Sequence, residues 1–157
     1  MNKNQQLIER FYTAFSNQDG QTMADCYHQQ AQFNDPVFGI LDRTSTVAMW
    51  TMLLERSKGN LKIEYFNPNA TDDKGTVTWV ATYNFSKTQR KVVNVIQASF
   101  EFKDGLIYRH TDTFNLWKWS KQAFGIKGLL LGWTSFMQDK IRKQAKTTLT
   151  EYQSKKK

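Results

Sequence analysis

The hydropathy pattern changes period near residue 61, and this change limits the chain to a small set of folds. Before that point, apolar residues recur at helical spacing in residues 4–16 and 44–57. After it, apolar and β-branched residues form four longer strand-like segments, residues 61–66, 76–85, 92–102 and 106–115. Short polar or glycine-containing connections typical of hairpins separate them. Helices followed by an antiparallel meander predict an α+β domain in which a curved sheet wraps the helices.

Residues 17–43 predict short elements joined by turns. Asp19 is a candidate N-cap for a short second helix that directs Met23, Cys26 and Tyr27 inward. Residues 31–33 then predict a brief strand. The following turn is centred on Pro36, because proline fixes its own φ and biases the preceding residue to an extended conformation.

The C-terminal quarter of the chain differs in character from the rest. Residues 116–124 predict a helix, the glycine-containing stretch 125–132 interrupts it, and residues 134–152 predict a last helix. The net charge of +8 lies entirely in residues 118–157, which carry ten Lys and Arg side chains against two acidic ones. We therefore predict an α+β pocket domain over residues 1–115 and a basic helical extension over residues 116–157, packed on the same domain.

Several classes of protein are disfavoured by simple counts. Cys26 is the single cysteine, which excludes an internal disulfide framework and is typical of a reducing compartment. The N-terminus has no apolar signal core, and no apolar run approaches the roughly 20 residues that span a bilayer. A cytoplasmic location is the resulting prediction. Two histidines and one cysteine offer no spaced ligand set, so no metal or other cofactor is expected.

The stretch 105–119 holds the most suggestive polar residues. If it alternates strictly as a strand, Tyr108, His110, Asp112 and Phe114 share one face. A His and an Asp on one face, flanked by aromatic residues, would form the polar floor of an apolar pocket.

The pattern resembles the nuclear transport factor 2-like superfamily, and within it the SnoaL-like and ketosteroid-isomerase-like enzymes. The matching residues cover about 7–115 and include Arg10-Phe11, Asp19 and the run 31–39. The tail from Asp112 to Trp133 resembles that of an uncharacterised bacterial subgroup. The resemblance implies a cone-shaped, cystatin-like half-barrel that encloses a pocket and commonly forms a homodimer through its sheet.

Carried over residue by residue, the resemblance places the isomerase general base at Asp35. It places the oxyanion-hole tyrosine at Phe11 and the protonated aspartate at Ala98. Both oxyanion donors are therefore replaced by apolar residues, and losing one such donor typically costs hundreds-fold in rate. Steroid isomerisation by the family mechanism would need Tyr12, His110 or another donor to substitute.

The resemblance also identifies the side chains that would line a pocket. It directs one face of each of two neighbouring strands inward, including Trp79 and Tyr83 on the first, and Asn94 and Ala98 on the second. Aromatic residues that would form the wall around an apolar or cyclic ligand are Trp50, Trp79, Tyr83 and Phe114. Residues of this kind more often belong to an ordinary hydrophobic core, although in a half-barrel the same side chains can do both.

Each polar candidate has two readings that the sequence leaves open. Asp35 is either a pocket base, with a pKa raised by desolvation, or an ordinary Asp-Pro turn residue. His110 and Asp112 form a dyad, or Asp35 and Asp112 divide acid and base roles. Alternatively, Asp112 caps the following helix or pairs with Arg109 or Arg10, and His110 is a satisfied core residue.

The favoured hypothesis is a pocket for a small apolar or cyclic molecule, with isomerase or hydrolase chemistry by carboxylate acid/base catalysis. Asp35, His110 and Asp112 are its candidate catalytic residues, and whether it is an enzyme stays open. The alternative is a non-catalytic ligand-binding or dimerisation module. For the basic tail, a solvated helix face is the default, peripheral membrane contact through residues 124–143 is second, and nucleic-acid binding, for which no specific motif exists, is last. A further alternative is that residues 129–137 close the pocket mouth or pack on a partner subunit.

Overall fold

A computed structural model describes residues 2–156 as a curved, open six-stranded sheet with helices on its concave side and at its end. The helices are α1 Lys3–Ser16, α2 Gly20–Asp25, α3 Arg43–Ser57, α4 Leu116–Phe124, α5 Ile126–Leu131 and α6 Ser135–Lys155. The strands are β1 Tyr27–Asp35, β2 Gly39–Asp42, β3 Lys62–Ala70, β4 Lys74–Asn84, β5 Lys91–Lys103 and β6 Leu106–Thr113. The predicted α+β class is confirmed.

Side-chain caps set the helix starts that the sequence indicates. Asp19 accepts a hydrogen bond from the Thr22 amide at α2, and Asp42 accepts one from the Ser45 amide at α3. At α4 the cap is Asn115, which accepts from the Lys118 amide. The prediction that Asp112 caps this helix is therefore wrong.

The sheet runs in the order β2-β1-β6-β5-β4-β3. The predicted antiparallel meander is confirmed for β3 to β6, whereas β1 pairs with β6 in parallel and turns back through β2. The prediction of a brief strand over residues 31–33 is too short. The strand has nine residues, and the polar residues that suggested a turn face outward from it.

A β-bulge in β6 changes which side chains face the core. Glu101 pairs with Arg109, but the next residue, Phe102, pairs with Ile107, so one residue of β6 is unmatched. Ile107 and His110 are both buried as a result, and Tyr108 lies on the outer side against Lys103. The prediction that Tyr108 shares a face with His110 is wrong for this reason.

The C-terminal helices close one end of the curved sheet. In α4, Leu116, Trp119 and Ala123 form a second apolar cluster with Val92 of β5 and Ile141 of α6. The glycine-containing stretch 125–132 forms α5, which packs on α4 through its glycine side.

Helix α6 runs back along α3 and joins the main core. Its residues Leu149 and Tyr152 pack in the main core, and the Tyr152 hydroxyl donates to Glu55 at 2.8 Å. Arg142 donates to the Pro36 carbonyl at 2.8 Å, which ties the helix to the β1–β2 turn. No helix within residues 2–156 combines the length and apolar character that a membrane crossing requires.

Candidate active site

Parallel pairing of β1 with β6 brings the candidate polar residues together on the concave face. Phe33 is opposite His110, and Asn34 is opposite Thr111. Continuing this register by one residue places Asp35 beside Asp112, on strands that lie about 4.8 Å apart. Both side chains point inward, because they alternate with Asn34 and Thr111. Two of the three predicted catalytic residues are thus neighbours across adjacent strands.

His110 is fully buried and both of its ring nitrogens are engaged. Its Nδ1 lies 2.8 Å from the Tyr27 hydroxyl, and its Nε2 lies 2.9 Å from Oδ1 of Asp112. The Trp50 indole N–H, which can only donate, donates to the same Tyr27 oxygen at 3.0 Å. Tyr27 is therefore free to give its own proton to Nδ1, and Nε2–H donates to the carboxylate.

Asp112 is the end point of this chain of hydrogen bonds. Its Oδ1 also accepts from the Trp79 indole N–H at 3.3 Å. It makes no ion pair with Arg109 or Arg10 within the described residues, so that alternative is wrong. Ala98 lies directly opposite Asp112 in the β5–β6 register. A carboxyl group is therefore present next to the position where the resemblance expects one, but it comes from the neighbouring strand.

Asp35 has the backbone contacts of a turn residue and also the raised pKa that the sequence analysis considered. Its Oδ1 accepts from the backbone amides of Val37 and Phe38, at 2.9 and 2.6 Å, as in an ordinary Asx turn. Desolvation nevertheless outweighs those bonds and, with the nearby Asp112 charge, raises the pKa of Asp35 to about 6. A carboxyl group with this pKa is suited to take up and release a proton near neutral pH.

Tyr12 contributes a hydroxyl that nothing in the described residues satisfies. The side chain is fully buried on the inner face of α1, and its oxygen has no hydrogen-bond partner there. Burial, together with the charge of Asp112, raises its pKa well above the usual value, so the hydroxyl stays protonated. An unpaired buried hydroxyl costs roughly 1–3 kcal/mol, which a polar group of a ligand could recover.

Aromatic rings surround this polar group closely. Trp50 stacks on His110 with ring centroids 6.1 Å apart, and Phe11 meets the same ring edge-on at 5.7 Å. Trp79 lies against Tyr12 at 5.9 Å. The apolar residue Phe11, at the position of the family's oxyanion tyrosine, thus packs against His110, and the adjacent Tyr12 carries the unpaired hydroxyl.

Two of the predicted wall residues lie elsewhere. Tyr83 accepts a hydrogen bond from the Trp119 indole at 2.7 Å, so it contacts α4 at the closed end of the sheet. Phe114 packs between the main core and the α4 cluster. Asn94 is buried on β5 opposite Ala81, in the strand pair between the two clusters.

Sequence reasoning missed Tyr27 as a site residue, although it predicted that the side chain points inward. Its role depends on a contact with His110, 83 positions away, and on irregular pairing of β1 between Tyr27 and Gln32. No local pattern signals such a contact. Phe33 and Phe100, whose rings lie 5.0 and 4.5 Å from the His110 ring, were missed for the same reason.

Two surface depressions accompany the fold. One of about 560 Å³ runs along α6, and one of about 240 Å³ lies beside the start of β3. Tyr83 is the one predicted pocket residue that lines either of them. Within residues 2–156, no group of three His, Cys, Asp or Glu side chains is placed to hold a metal ion.

A family profile described as the SnoaL-like domain matches residues 8–110, which is well over half of the chain. The chain belongs to the SnoaL-like family. The matched region begins within α1 and ends in β6 at His110, so it includes Asp35 but stops before Asp112. No curated protein sequence matches this SnoaL-like protein significantly.

Solved structures show the same nuclear transport factor 2-like fold. Bal32a, from a soil-derived mobile gene cassette, superimposes with a TM-score of 0.68 at 20% identity, over 77% of this chain and 96% of that one. A candidate polyketide cyclase from Xanthomonas campestris pv. campestris gives 0.62 at 18%, over 77% and 96%. An LEH-like epoxide hydrolase from M. tuberculosis gives 0.58 at 21%, over 83% and 91%. At these identities the likeness establishes the fold of the SnoaL-like protein.

Proposed function

We propose that this protein catalyses cofactor-independent proton transfer on a small apolar or cyclic molecule, as an isomerase or cyclase. The observation that carries the proposal is the unpaired, buried hydroxyl of Tyr12, whose pKa is raised by burial and by the charge of Asp112. Folding leaves such a group unsatisfied at a cost, and sites that bind a polar ligand group are a common reason. The fold and the SnoaL-like family membership are consistent with this chemistry, although a fold alone does not imply it.

Asp35 is the proposed general base. Its pKa of about 6 keeps most of the side chain ionised at neutral pH, while making it more basic than an ordinary aspartate. Its Oδ1 is held by two backbone amides, so the carboxyl plane is fixed. A base of this kind can remove a proton from carbon next to a carbonyl group and return it elsewhere on the same molecule.

Tyr12 is the proposed donor to the oxygen on which negative charge develops. Its hydroxyl is preorganised in an apolar environment, where a hydrogen bond to a developing oxyanion is much stronger than in water. Asp112 acts through its charge, which raises the pKa of both Asp35 and Tyr12. His110 is a positioning residue, because both nitrogens are engaged and neither is free for a substrate.

Exchange of carbon-bound hydrogen with solvent tests this function without knowledge of the natural substrate. Small cyclic ketones and enones would be incubated with the protein in D2O, and loss of the proton signal next to the carbonyl would be followed by NMR. We expect Asp35→Asn to slow exchange by roughly 10²–10⁴-fold. Asp73→Asn, which changes an exposed turn residue, is the matched control. Exchange that is unaffected by Asp35→Asn would remove this residue from the mechanism.

A non-catalytic binding module is the second candidate, and one observation favours it. Both nitrogens of His110 are satisfied internally, and Trp119 of α4 is bonded to Tyr83 at the closed end of the sheet. For such a module, the same ketones would raise the thermal midpoint of unfolding while showing no exchange. Exchange catalysed by the wild-type protein and lost in Asp35→Asn would exclude it.

A homodimer through the sheet is also proposed, from apolar residues on its outer face. Val93 and Val95 of β5 are exposed and alternate with the buried residues of that strand. Val95→Lys should abolish such a dimer, and sedimentation velocity at several protein concentrations measures it. A sedimentation coefficient that is independent of both concentration and the substitution would count against the dimer.

A further inference from the structure

A cluster of large apolar side chains lies exposed on α5 and the beginning of α6. We call it the α5 surface: Ile126, Leu129, Leu130, Leu131, Trp133 and Phe136. Their exposed fractions run from 49% at Leu129 and Leu131 to 79% at Phe136. Single exposed apolar residues are ordinary, but a contiguous group of six marks a surface that is covered in use.

The orientation of α5 is the reverse of that of an ordinary surface helix. Its glycine, Gly128, is buried against α4, where a Cβ atom would overlap the backbone carbonyl of Ser120. The three consecutive leucines that follow point away from the protein. A helix in water normally buries its large apolar residues and exposes the small or polar ones. Close packing through glycine therefore fixes the leucines outward.

Both indole N–H groups of this region are hydrogen-bonded within the protein. The Trp117 N–H donates to the Leu129 carbonyl at 3.2 Å, and the Trp133 N–H donates to the Leu130 carbonyl at 3.0 Å. Their polar atoms are thus satisfied within the protein. The exposed ring of Trp133 can enter an apolar environment without leaving a donor unpaired.

The chain segment that carries the α5 surface has charged side chains of one sign. Residues 113–138 contain no Asp or Glu, and they contain Lys118, Lys121 and Lys127. The Lys121 ammonium lies 4.5 Å from the centre of the Trp117 ring, directly beside the apolar group. Apolar side chains bordered by lysines match the two layers of a bilayer surface, in which acyl chains lie beneath anionic headgroups.

We propose that the α5 surface binds the surface of bilayers that contain anionic lipid, with the helices lying on the membrane and not crossing it. A second copy of the chain is a poorer occupant, because a two-fold contact would bring the lysines of both copies together. Nucleic acid would neutralise the lysines but would leave the leucines in water. This binding is independent of the carboxyl site.

Co-sedimentation of the full chain with vesicles tests the proposal. Vesicles of phosphatidylcholine with about 30 mol% phosphatidylserine would be compared with phosphatidylcholine alone, at low and high salt. We expect the triple variant Ile126→Ser, Leu130→Ser, Phe136→Ser to lower partitioning at least about tenfold. The matched control, Ile40→Ser, Phe66→Ser, removes two exposed apolar residues elsewhere and should partition like wild type.

Tryptophan fluorescence gives a second readout of the same contact. Trp133 is the most exposed tryptophan, at 64% against 37% for Trp117, and Trp50, Trp79 and Trp119 are buried. Brominated lipid should therefore quench the wild-type emission, and Trp133→Phe should remove most of that quenching. The proposal would be overturned if the wild-type protein stayed in the supernatant. It would also be overturned if the wild-type protein and the triple variant sedimented with the vesicles to the same extent. A third result would also overturn it: neither the wild type nor the triple variant binds vesicles, and the wild type forms a concentration-dependent dimer that the triple variant does not form.

Discussion

The Tyr27 hydroxyl links the side chains of Trp50 and His110, because it accepts a hydrogen bond from the Trp50 indole and lies 2.8 Å from Nδ1 of His110. Tyr27→Phe removes this link and leaves a buried imidazole nitrogen and a buried indole N–H unpaired. We expect a loss of roughly 2–3 kcal/mol in the free energy of unfolding. Urea denaturation measures it.

Tyr65→Phe is the matched control for that substitution. The Tyr65 hydroxyl lies 3.3 Å from the Thr13 side chain in an exposed pair, so its loss should cost no more than about 0.5 kcal/mol. Nitrogen-15 NMR of the His110 ring adds an independent check, because Tyr27→Phe should change the chemical shift of Nδ1. Equal stability losses in the two variants would contradict the buried network.

Asp35→Asn should stabilise the protein at neutral and alkaline pH. The folded pKa of about 6 lies above the ordinary value of 3.8, so the folded state binds the proton more tightly than the unfolded chain. The contribution of Asp35 to wild-type stability must therefore fall as pH rises from about 4 to about 6, and then level off. The variant does not titrate there, and the gain above pH 7 should reach at most about 3 kcal/mol, reduced by solvent access.

Urea denaturation at a series of pH values from 3.5 to 8 (about one per half unit) checks this pH dependence. The side-chain oxygen of asparagine can accept the same two backbone hydrogen bonds as Asp35, so the Asx turn should persist. Asp73→Asn should show no comparable difference from wild type. A stability difference, wild type minus Asp35→Asn, that rises between pH 4 and 6 would contradict the raised pKa of Asp35.

The elements of the fold follow from local sequence patterns, and the site follows from them only in part. Long periodic segments and the caps at Asp19 and Asp42 are local, so they were predictable. The inward placement of His110 and Asp112 was also predictable from alternation. The bulge that turns Tyr108 outward was not, because it is a mismatch between two strands and has no signature in either one.

The hydrogen-bond partners of the site residues are the part that sequence could not supply. Tyr27, His110 and Trp50 come from three elements, and their contact depends on how β1 lies on β6 and how α3 packs over both. The carboxyl pair depends equally on a parallel strand pairing that the sequence did not predict. Residue types can suggest a polar cluster, but strand register decides its members.

Tyr12→Phe should separate ligand binding from stability. Removing an unpaired buried hydroxyl relieves its desolvation cost, so we expect stability to rise by up to about 1 kcal/mol in the free protein. Turnover or affinity for a carbonyl ligand should fall at least tenfold, because the developing charge loses its donor. Tyr83→Phe, whose hydroxyl accepts from Trp119, should instead lower stability. A Tyr12→Phe variant that is less stable than wild type would indicate that the hydroxyl is satisfied in solution.

Gly128→Ala should detach α5 from α4. The added Cβ atom would overlap the Ser120 carbonyl, and a backbone atom in the middle of a helix cannot move aside. We expect a loss of roughly 1–3 kcal/mol, typical of overpacking. Gly20→Ala is the control, since its Cβ would meet Leu54 at an ordinary 3.5 Å. Hydrogen exchange should show faster opening confined to α4 and α5 in Gly128→Ala, with α1 and β6 unchanged. If the α5 amides instead exchange as in wild type, the glycine contact does not fix the outward orientation of the leucines.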